Sequence, residues 1–264
     1  MINSEIEVMS MELMAQVLEL LEKKEPFCLA TVVASSKPAV LPGAKRIIRQ
    51  DGAITPASGT AWSSDLASLA LDALRKKKKS MASIGGEVDV FFDVVSGEDK
   101  LLVCGAGHIA VPLARYARDT GFKVTILDDR PDFAHPSRFP ECEVIAEEFV
   151  PTLREMSLGT STYVVVITRG HEHDAECLLE ILPRETAYVG LIGSRRRVRF
   201  VLEMLGHEGI SPGRREEIFT PIGLPIGAES PEEIALSIMA ELVCVRRKGH
   251  EQAQVLRSAT GEGK

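Results

Sequence analysis

The sequence predicts a mixed α/β chain: a small α+β domain over residues 1–97, then a larger parallel-sheet domain over residues 98–264. Three observations carry this. The first ninety-odd residues combine two helix-patterned stretches with short β-branched runs, and the polar break Ser96-Gly97-Glu98-Asp99 follows them. Beyond the break, strand-like runs alternate with helix-like ones, which is the signature of βαβ units and a parallel sheet. With 264 residues, 45% of them hydrophobic, the chain has material for two cores.

Met9, Leu13, Val17, Leu20 and Leu21 recur at helical spacing, and Ser4 with Glu7 forms a capping-box pattern, so an amphipathic helix is expected over 5–23, ended by Pro26. Residues 27–34 and 44–49 read as strands. The stretch between them, rich in Ser and Pro, reads as a loop. Asp51-Gly52 supplies hairpin chemistry leading into 53–55. A helix over 64–77 and a strand over 88–95 complete the first domain.

In the second domain the expected strands are 100–104, 123–127, 143–146, 163–168 and 187–192, with a helix over 111–120 and helix-forming sequence after each of the last two strands. Tyr163-Val164-Val165-Val166-Ile167-Thr168 is the strongest buried-strand signal in the chain. The last expected helix is capped by Ser230, carries Pro231 at its first position and Glu233 in a capping box, and stops before Gly249.

Composition excludes several function classes. A net charge of −7 and a pI near 5.5 argue against nucleic acid as a partner. No run reaches the roughly 20 apolar residues of a membrane span. Glu5, Glu7 and Glu12 stand where a signal peptide would carry cations, so a cytoplasmic location is expected. The five cysteines, Cys28, Cys104, Cys142, Cys177 and Cys244, never form a C-x-x-C pair. Neither a zinc site nor a disulfide framework is expected. Cys28, Cys104 and Cys244 lie in apolar runs and read as buried hydrophobes.

Gly105-Ala106-Gly107-His108-Ile109-Ala110 follows a strand and opens a helix, giving G-x-G-x-x-A in the context of a Rossmann domain. The first glycine permits the tight turn, and the second lets the backbone approach a phosphate. The helix N-terminus then offers unpaired amides to an anion. Some twenty residues on, Asp128-Asp129 ends the second strand, where an acid accepts ribose hydroxyls. Arg130 leaves a bare and a phosphorylated ribose equally open. Thr168 and His171-Glu172-His173-Asp174 follow the strongest strand at the edge where such sheets bind ligands, and are expected to line the crevice. An H-x-H pair ligates a metal only if a third group such as His108 or Asp128 comes near, and no metal is expected. Gly193, Ser194 and Arg195 end the next strand and are expected to contact an anion, whereas Arg197 and Arg199 are expected in solvent. No Tyr-x-x-x-Lys pair, G-x-S-x-G elbow or general-base dyad is present, so no catalytic residue is assigned.

Taken together, Gly105-Ala106-Gly107-His108, Asp128-Asp129-Arg130-Pro131, Thr168 to Asp174, Gly190 to Arg196, Pro221-Ile222-Gly223-Leu224 and Ser230 to Ala235 resemble the C-terminal domain of the XdhC/CoxI family. Leu29-Ala30-Thr31-Val32-Val33, Pro42-Gly43-Ala44-Lys45 and Asp51-Gly52 resemble its first domain. The resemblance implies an accessory protein that binds molybdenum cofactor (molybdopterin), assists its sulfuration by a cysteine desulfurase and delivers it to a molybdenum hydroxylase apoenzyme. It implies the ligand phosphate on Gly105, Ala106, Gly107 and His108, with its other polar groups near Asp128, Asp129, Arg130, Thr168, His171, His173, Gly193, Ser194 and Arg195. Pro42, Gly43, Lys45 and Ser58 would contribute from the first domain. Where the family usually carries a glycine-rich segment ending in cysteine and glutamate, this chain has Ser58-Gly59-Thr60-Ala61-Trp62-Ser63-Ser64. An NAD(P)-dependent oxidoreductase and a nucleotide-sensing module without turnover are the alternative readings. By analogy with small Rossmann proteins, a homodimer is expected.

Overall fold

A computed structural model describes residues 2–23, 25–56, 63–95 and 97–261, leaving aside the side chains of 2–10, 63–64 and 259–261. The chain divides into two compact units, Met1–Gly97 and Glu98–Lys264.

The first unit contains α1 (Ile2–Glu22), β1 (Phe27–Ser35), β2 (Lys45–Arg49), β3 (Ile54–Thr55), α2 (Ser63–Arg75), β4 (Ser80–Ile84) and β5 (Val88–Val95). Its strands form one sheet in the order β3-β2-β1-β5-β4, antiparallel throughout. The β2–β3 hairpin closes as expected. Gly52 has φ +82°, its amide donates to the Arg49 carbonyl, and the Ala53 amide donates to Asp51 Oδ1 at 2.9 Å. α1 begins two residues before Ser4, so Ser4 lies within the helix and cannot cap its start. Leu13, Val17 and Leu20 of α1 pack with Phe27 and Ile47, while Leu21 is largely exposed. β4 was not expected: most of its residues face solvent, and pairing with β5 makes it a strand.

The second unit contains β6 (Lys100–Cys104), α3 (Ala110–Asp119), β7 (Lys123–Leu127), β8 (Glu143–Ile145), α4 (Phe149–Glu155), β9 (Thr162–Val166), α5 (His171–Ile181), β10 (Tyr188–Leu191), α6 (Arg195–His207), α7 (Pro212–Glu216), α8 (Pro231–Lys248) and α9 (His250–Gly261). All five strands are parallel, in the order β10-β9-β6-β7-β8. This is the Rossmann arrangement, with its topological switch point between β6 and β9. β9 is buried along its whole length, as a strand covered on both faces must be. One core cluster gathers α3, α8 and the alternate residues Leu101, Val103, Val124, Ile126, Tyr163 and Val165. The other gathers α4, α5 and α6 against Leu102, Cys104, Leu127, Val164 and Val166. The capping box of α8 is present: the Glu233 amide donates to Ser230 Oγ, and the Ser230 amide to Glu233 Oε2. Gly249 ends α8 with φ +86°, and α9 then resumes, which the sequence pattern did not reveal. Cys28, Cys104, Cys177 and Cys244 are buried, and all five cysteines are free. Among the described residues no helix is long and apolar enough to cross a membrane.

Candidate functional site

The glycine turn leaves the C-terminal end of β6 at the switch point, where open parallel sheets bind ligands. Gly105 has φ +114°, and a Cβ on it would stand 2.5 Å from the Ile167 carbonyl oxygen. Only glycine therefore lets the end of β6 lie this close to the end of β9. The Gly105 amide donates to the Leu127 carbonyl at 2.7 Å, and the Ala106 amide donates to Asp128 Oδ2 at 2.7 Å. Arg138 fixes the opposite side of the turn by donating to the Ala106 carbonyl at 2.8 Å. Among the described residues no acceptor is paired with the amides of Gly107, His108 or Ile109, and Ile109 at the helix start has no side-chain cap. A Cβ on Gly107 would meet no heavy atom within 4 Å. The turn thus pairs its first two amides internally and leaves the next three without a protein acceptor among the described residues.

The two acids after β7 differ. Asp128, expected to accept ribose hydroxyls, is 1% exposed. Both of its oxygens are engaged, by the Ala106 amide, by the Arg130 amide and by the Arg130 guanidinium, whose Nε and Nη2 each donate at 2.8 Å. Burial works to raise its pKa, but the Arg130 side chain and these amides outweigh that and hold it below the usual carboxylate range. Arg130 also stacks on Phe133, with its guanidinium carbon 3.8 Å from the ring centre, so it is committed within the protein. Asp129 stays partly exposed and pairs with Arg169.

At the end of β9, Thr168 Oγ1 donates to Asp174 Oδ1 at 2.6 Å, and Arg197 Nε donates to Asp174 Oδ2 at 2.8 Å. Asp174 is fully buried. Burial raises its pKa, and Thr168 and Arg197 only partly offset this. The expectation that Arg197 lies in solvent is therefore wrong. It stands three residues past the α6 cap, on the turn of helix facing β9, where a buried carboxylate requires a cation. Ser194 is that cap: its oxygen accepts from the Arg197 amide. Arg195 and Arg196 are exposed, as is Arg199. His171 is exposed and meets the Phe200 ring edge-on at 4.9 Å between centres. His173 lies 3.1 Å from Glu176 Oε2 through Nδ1 and contacts Phe149. Among the described residues no three His, Cys, Asp or Glu side chains converge as metal ligands.

The structure thus gathers Gly105, Ala106, Gly107, His108, Asp128, Asp129, Arg130, Thr168, His171, His173, Gly193, Ser194 and Arg195 along one edge of one sheet. Pro42, Gly43 and Lys45 lie in the first unit around the start of β2. There Gly43 has φ +89° and Lys45 Nζ donates to Thr31 Oγ1. Ser58 lies outside the described residues. Sequence reasoning missed Arg138 and Arg169. Nothing local marks Arg138 as the partner of a carbonyl 32 residues away, and Arg169 stood in plain view between Thr168 and His171. A separate cleft of about 310 Å³, walled in part by Arg115, Arg118, Arg138 and Glu232, lies beside α3 and uses none of the expected ligand contacts.

Comparison with known proteins adds an independent line. Residues 101–242 match the family described as XdhC Rossmann domain, and residues 20–85 match the XdhC and CoxI family. The uncharacterized protein YqeB of Escherichia coli K12 is 27% identical over 253 residues, covering 89% of this chain and 46% of its own. A Bacillus subtilis protein named as a probable xanthine dehydrogenase subunit is 34% identical over 161 residues, covering 61% of this chain and 47% of its own. The chain thus spans about half the length of the curated relatives it matches. A crystal structure of a xanthine dehydrogenase from Bacillus halodurans superposes with a TM-score of 0.54 at 20% identity, covering 88% of this chain and 96% of that one, a likeness of fold.

Proposed function

The chain belongs to the XdhC and CoxI family, and from that premise we propose that it is an accessory protein that binds molybdenum cofactor at the β6 turn and serves a xanthine dehydrogenase-type hydroxylase. The observation that carries this reading is the row of amides at Gly107, His108 and Ile109 at the head of α3, which have no protein acceptor among the described residues, beside a Gly107 whose Cβ position is open. A helix N-terminus of this kind stabilises a phosphate monoester through amide hydrogen bonds and the helix dipole. The cofactor ends in such a group, free or as part of a nucleotide. The donor set therefore fits its phosphate end. Of the second unit's cysteines, Cys104 and Cys177 are fully buried and Cys244 nearly so, while Cys142 is partly exposed and lies away from the β6 turn, in the wall of the cleft beside α3. In this reading the protein holds the cargo by its phosphate, shields it while a cysteine desulfurase supplies sulfur, and releases it to the apoenzyme. The protein's own contribution is binding and orientation. The name of the B. subtilis relative supports the choice of partner.

The test is retention of molybdenum cofactor by the purified full chain, expected at a Kd of roughly micromolar or tighter, together with loss of retention in Gly107→Val. Failure of the folded wild type to hold the cofactor at tens of micromolar overturns the proposal. The strand order and the turn also suit a dinucleotide, so NADH and NADPH are titrated in parallel. Tight binding with substrate-dependent oxidation would replace the accessory reading with an oxidoreductase, and binding without turnover would replace it with a nucleotide sensor.

A further inference from the structure

We propose that Arg169 is the side-chain cation for the phosphate held at the β6 turn, and that Asp129 keeps it occupied until a ligand arrives. The inference rests on reading the turn as an anion site, whichever phosphate compound fills it.

The geometry is set by strand order. β6 lies between β9 and β7, and Cys104, the last residue of β6, is level with Val166 on one side and Leu127 on the other. The segments leaving β9 and β7 are therefore about two strand spacings, or about 10 Å, apart, with the glycine turn emerging between them. Arg169, three residues past β9, covers that interval: its Nη2 lies 2.7 Å from Oδ2 of Asp129, two residues past β7. His173 Nε2 lies 3.5 Å from the same Nη2.

The pair is built to exchange. The Arg169 side chain is 47% exposed and that of Asp129 22% exposed, and an ion pair so placed adds little to stability. The neighbouring arginines are committed in a way Arg169 is not. Arg130 and Arg197 each neutralise a carboxylate almost or wholly without solvent, and releasing either would strand a buried charge. Arg195 and Arg196 follow β10, two strands away from β6. A phosphate at the Gly107 to Ile109 amides offers Arg169 more negative charge than one carboxylate and the same bidentate geometry. Once Arg169 moves to it, Asp129 keeps its 4.0 Å contact with Arg130 Nε through Oδ1, and its other oxygen is left as an acceptor beside the turn. The site then favours a phosphate compound that also carries hydroxyl or amino donors, and binds a bare polyanion such as pyrophosphate more weakly without excluding it.

The probe is inorganic pyrophosphate, titrated by calorimetry into the full chain. Arg169→Ala is expected to weaken binding about tenfold or more, and Arg169→Lys to restore part of the loss. Asp129→Asn is expected to tighten binding several-fold by freeing Arg169 and removing the repulsion, and this gain is expected to vanish in the Arg169→Ala background. Gly107→Val is expected to abolish binding in every background. The proposal is overturned if Arg169→Ala shifts the Kd less than about twofold, if Asp129→Asn weakens binding, if Gly107→Val leaves it intact, or if the wild type does not bind pyrophosphate. Should these arms behave as expected while molybdenum cofactor is not retained, the cofactor reading falls and the role of Arg169 stands.

Discussion

A Cβ on Gly105 would collide with the Ile167 carbonyl in a backbone with φ +114°, whereas one on Gly107, two residues later, meets only open space. The two glycines therefore separate fold from ligand. Gly105→Ala is expected to cost about 2–4 kcal/mol, because the atom in its way is main chain and cannot swing aside. Gly107→Val, at a position without positive φ, is expected to unfold within about 1 kcal/mol of wild type while losing the ligand. Urea unfolding of both variants, paired with the binding assays above, checks the division. Asp128 makes a third residue-scale prediction. Its folded pKa is depressed, so its contribution is fully present above the ordinary Asp value of about 3.9 and is lost as pH falls through the lower, folded value. Asp128→Asn is expected to cost about 2 kcal/mol at pH 7 by weakening the charge-assisted bonds from Arg130 and Ala106. Unfolding curves at successively lower pH should show that gap closing below about pH 4.

At the scale of elements, α6 is tied to the end of β9 by the Arg197–Asp174 pair, and its cap is Ser194. Arg197→Met leaves the Asp174 carboxylate buried without its cation, a change expected to cost about 3–5 kcal/mol. Asp174 already has a raised pKa from burial, and losing Arg197 raises it further. With the folded pKa above the unfolded one, proton uptake favours the folded variant, so its stability is greatest at low pH and falls as pH rises through the folded value. Unfolding at pH 5 and pH 8 should show a smaller deficit at pH 5, and an equal deficit would refute this account of the pair. The elements that the sequence revealed were those with a strong local signal: the β6 turn, the apolar run of β9, the Asp51-Gly52 hairpin and the α8 capping box. β4 escaped because three of its five residues are exposed and its partner is another strand. The direction of Arg197 escaped because it depends on helical phase counted from a cap and on a buried acid 23 residues away. Asp128 lies at the end of β7 as the sequence places it, yet Arg130 and the turn itself engage both of its oxygens from within, which the sequence did not reveal. Which strand ends share the crevice follows from crossovers between distant segments, so the pairing of Arg169 with Asp129 became visible only with the sheet order.

For the whole molecule, the second unit has what an independent domain requires. Both of its core clusters, one on each face of the parallel sheet, are drawn from residues beyond Glu98. Its last helix is held from within the unit as well. Arg257 of α9 pairs with the buried Glu241 of α8 at 2.7 Å, and Glu241 also accepts from the Tyr188 hydroxyl and the Gly223 amide. Residues 98–264 are of ordinary domain size. We therefore expect this segment, expressed alone, to unfold in one cooperative thermal transition, and the Arg169, Asp129 and Gly107 variants to rank for pyrophosphate as they do in the full chain. Circular dichroism melts and the same titrations check both points. A broad, non-cooperative melt with strong binding of a hydrophobic dye would mean that packing in this unit depends on the preceding residues. A cooperative melt with pyrophosphate binding lost would instead place part of the anion site outside the sheet edge, against the account in which the amides after Gly107 and the side chain of Arg169 suffice.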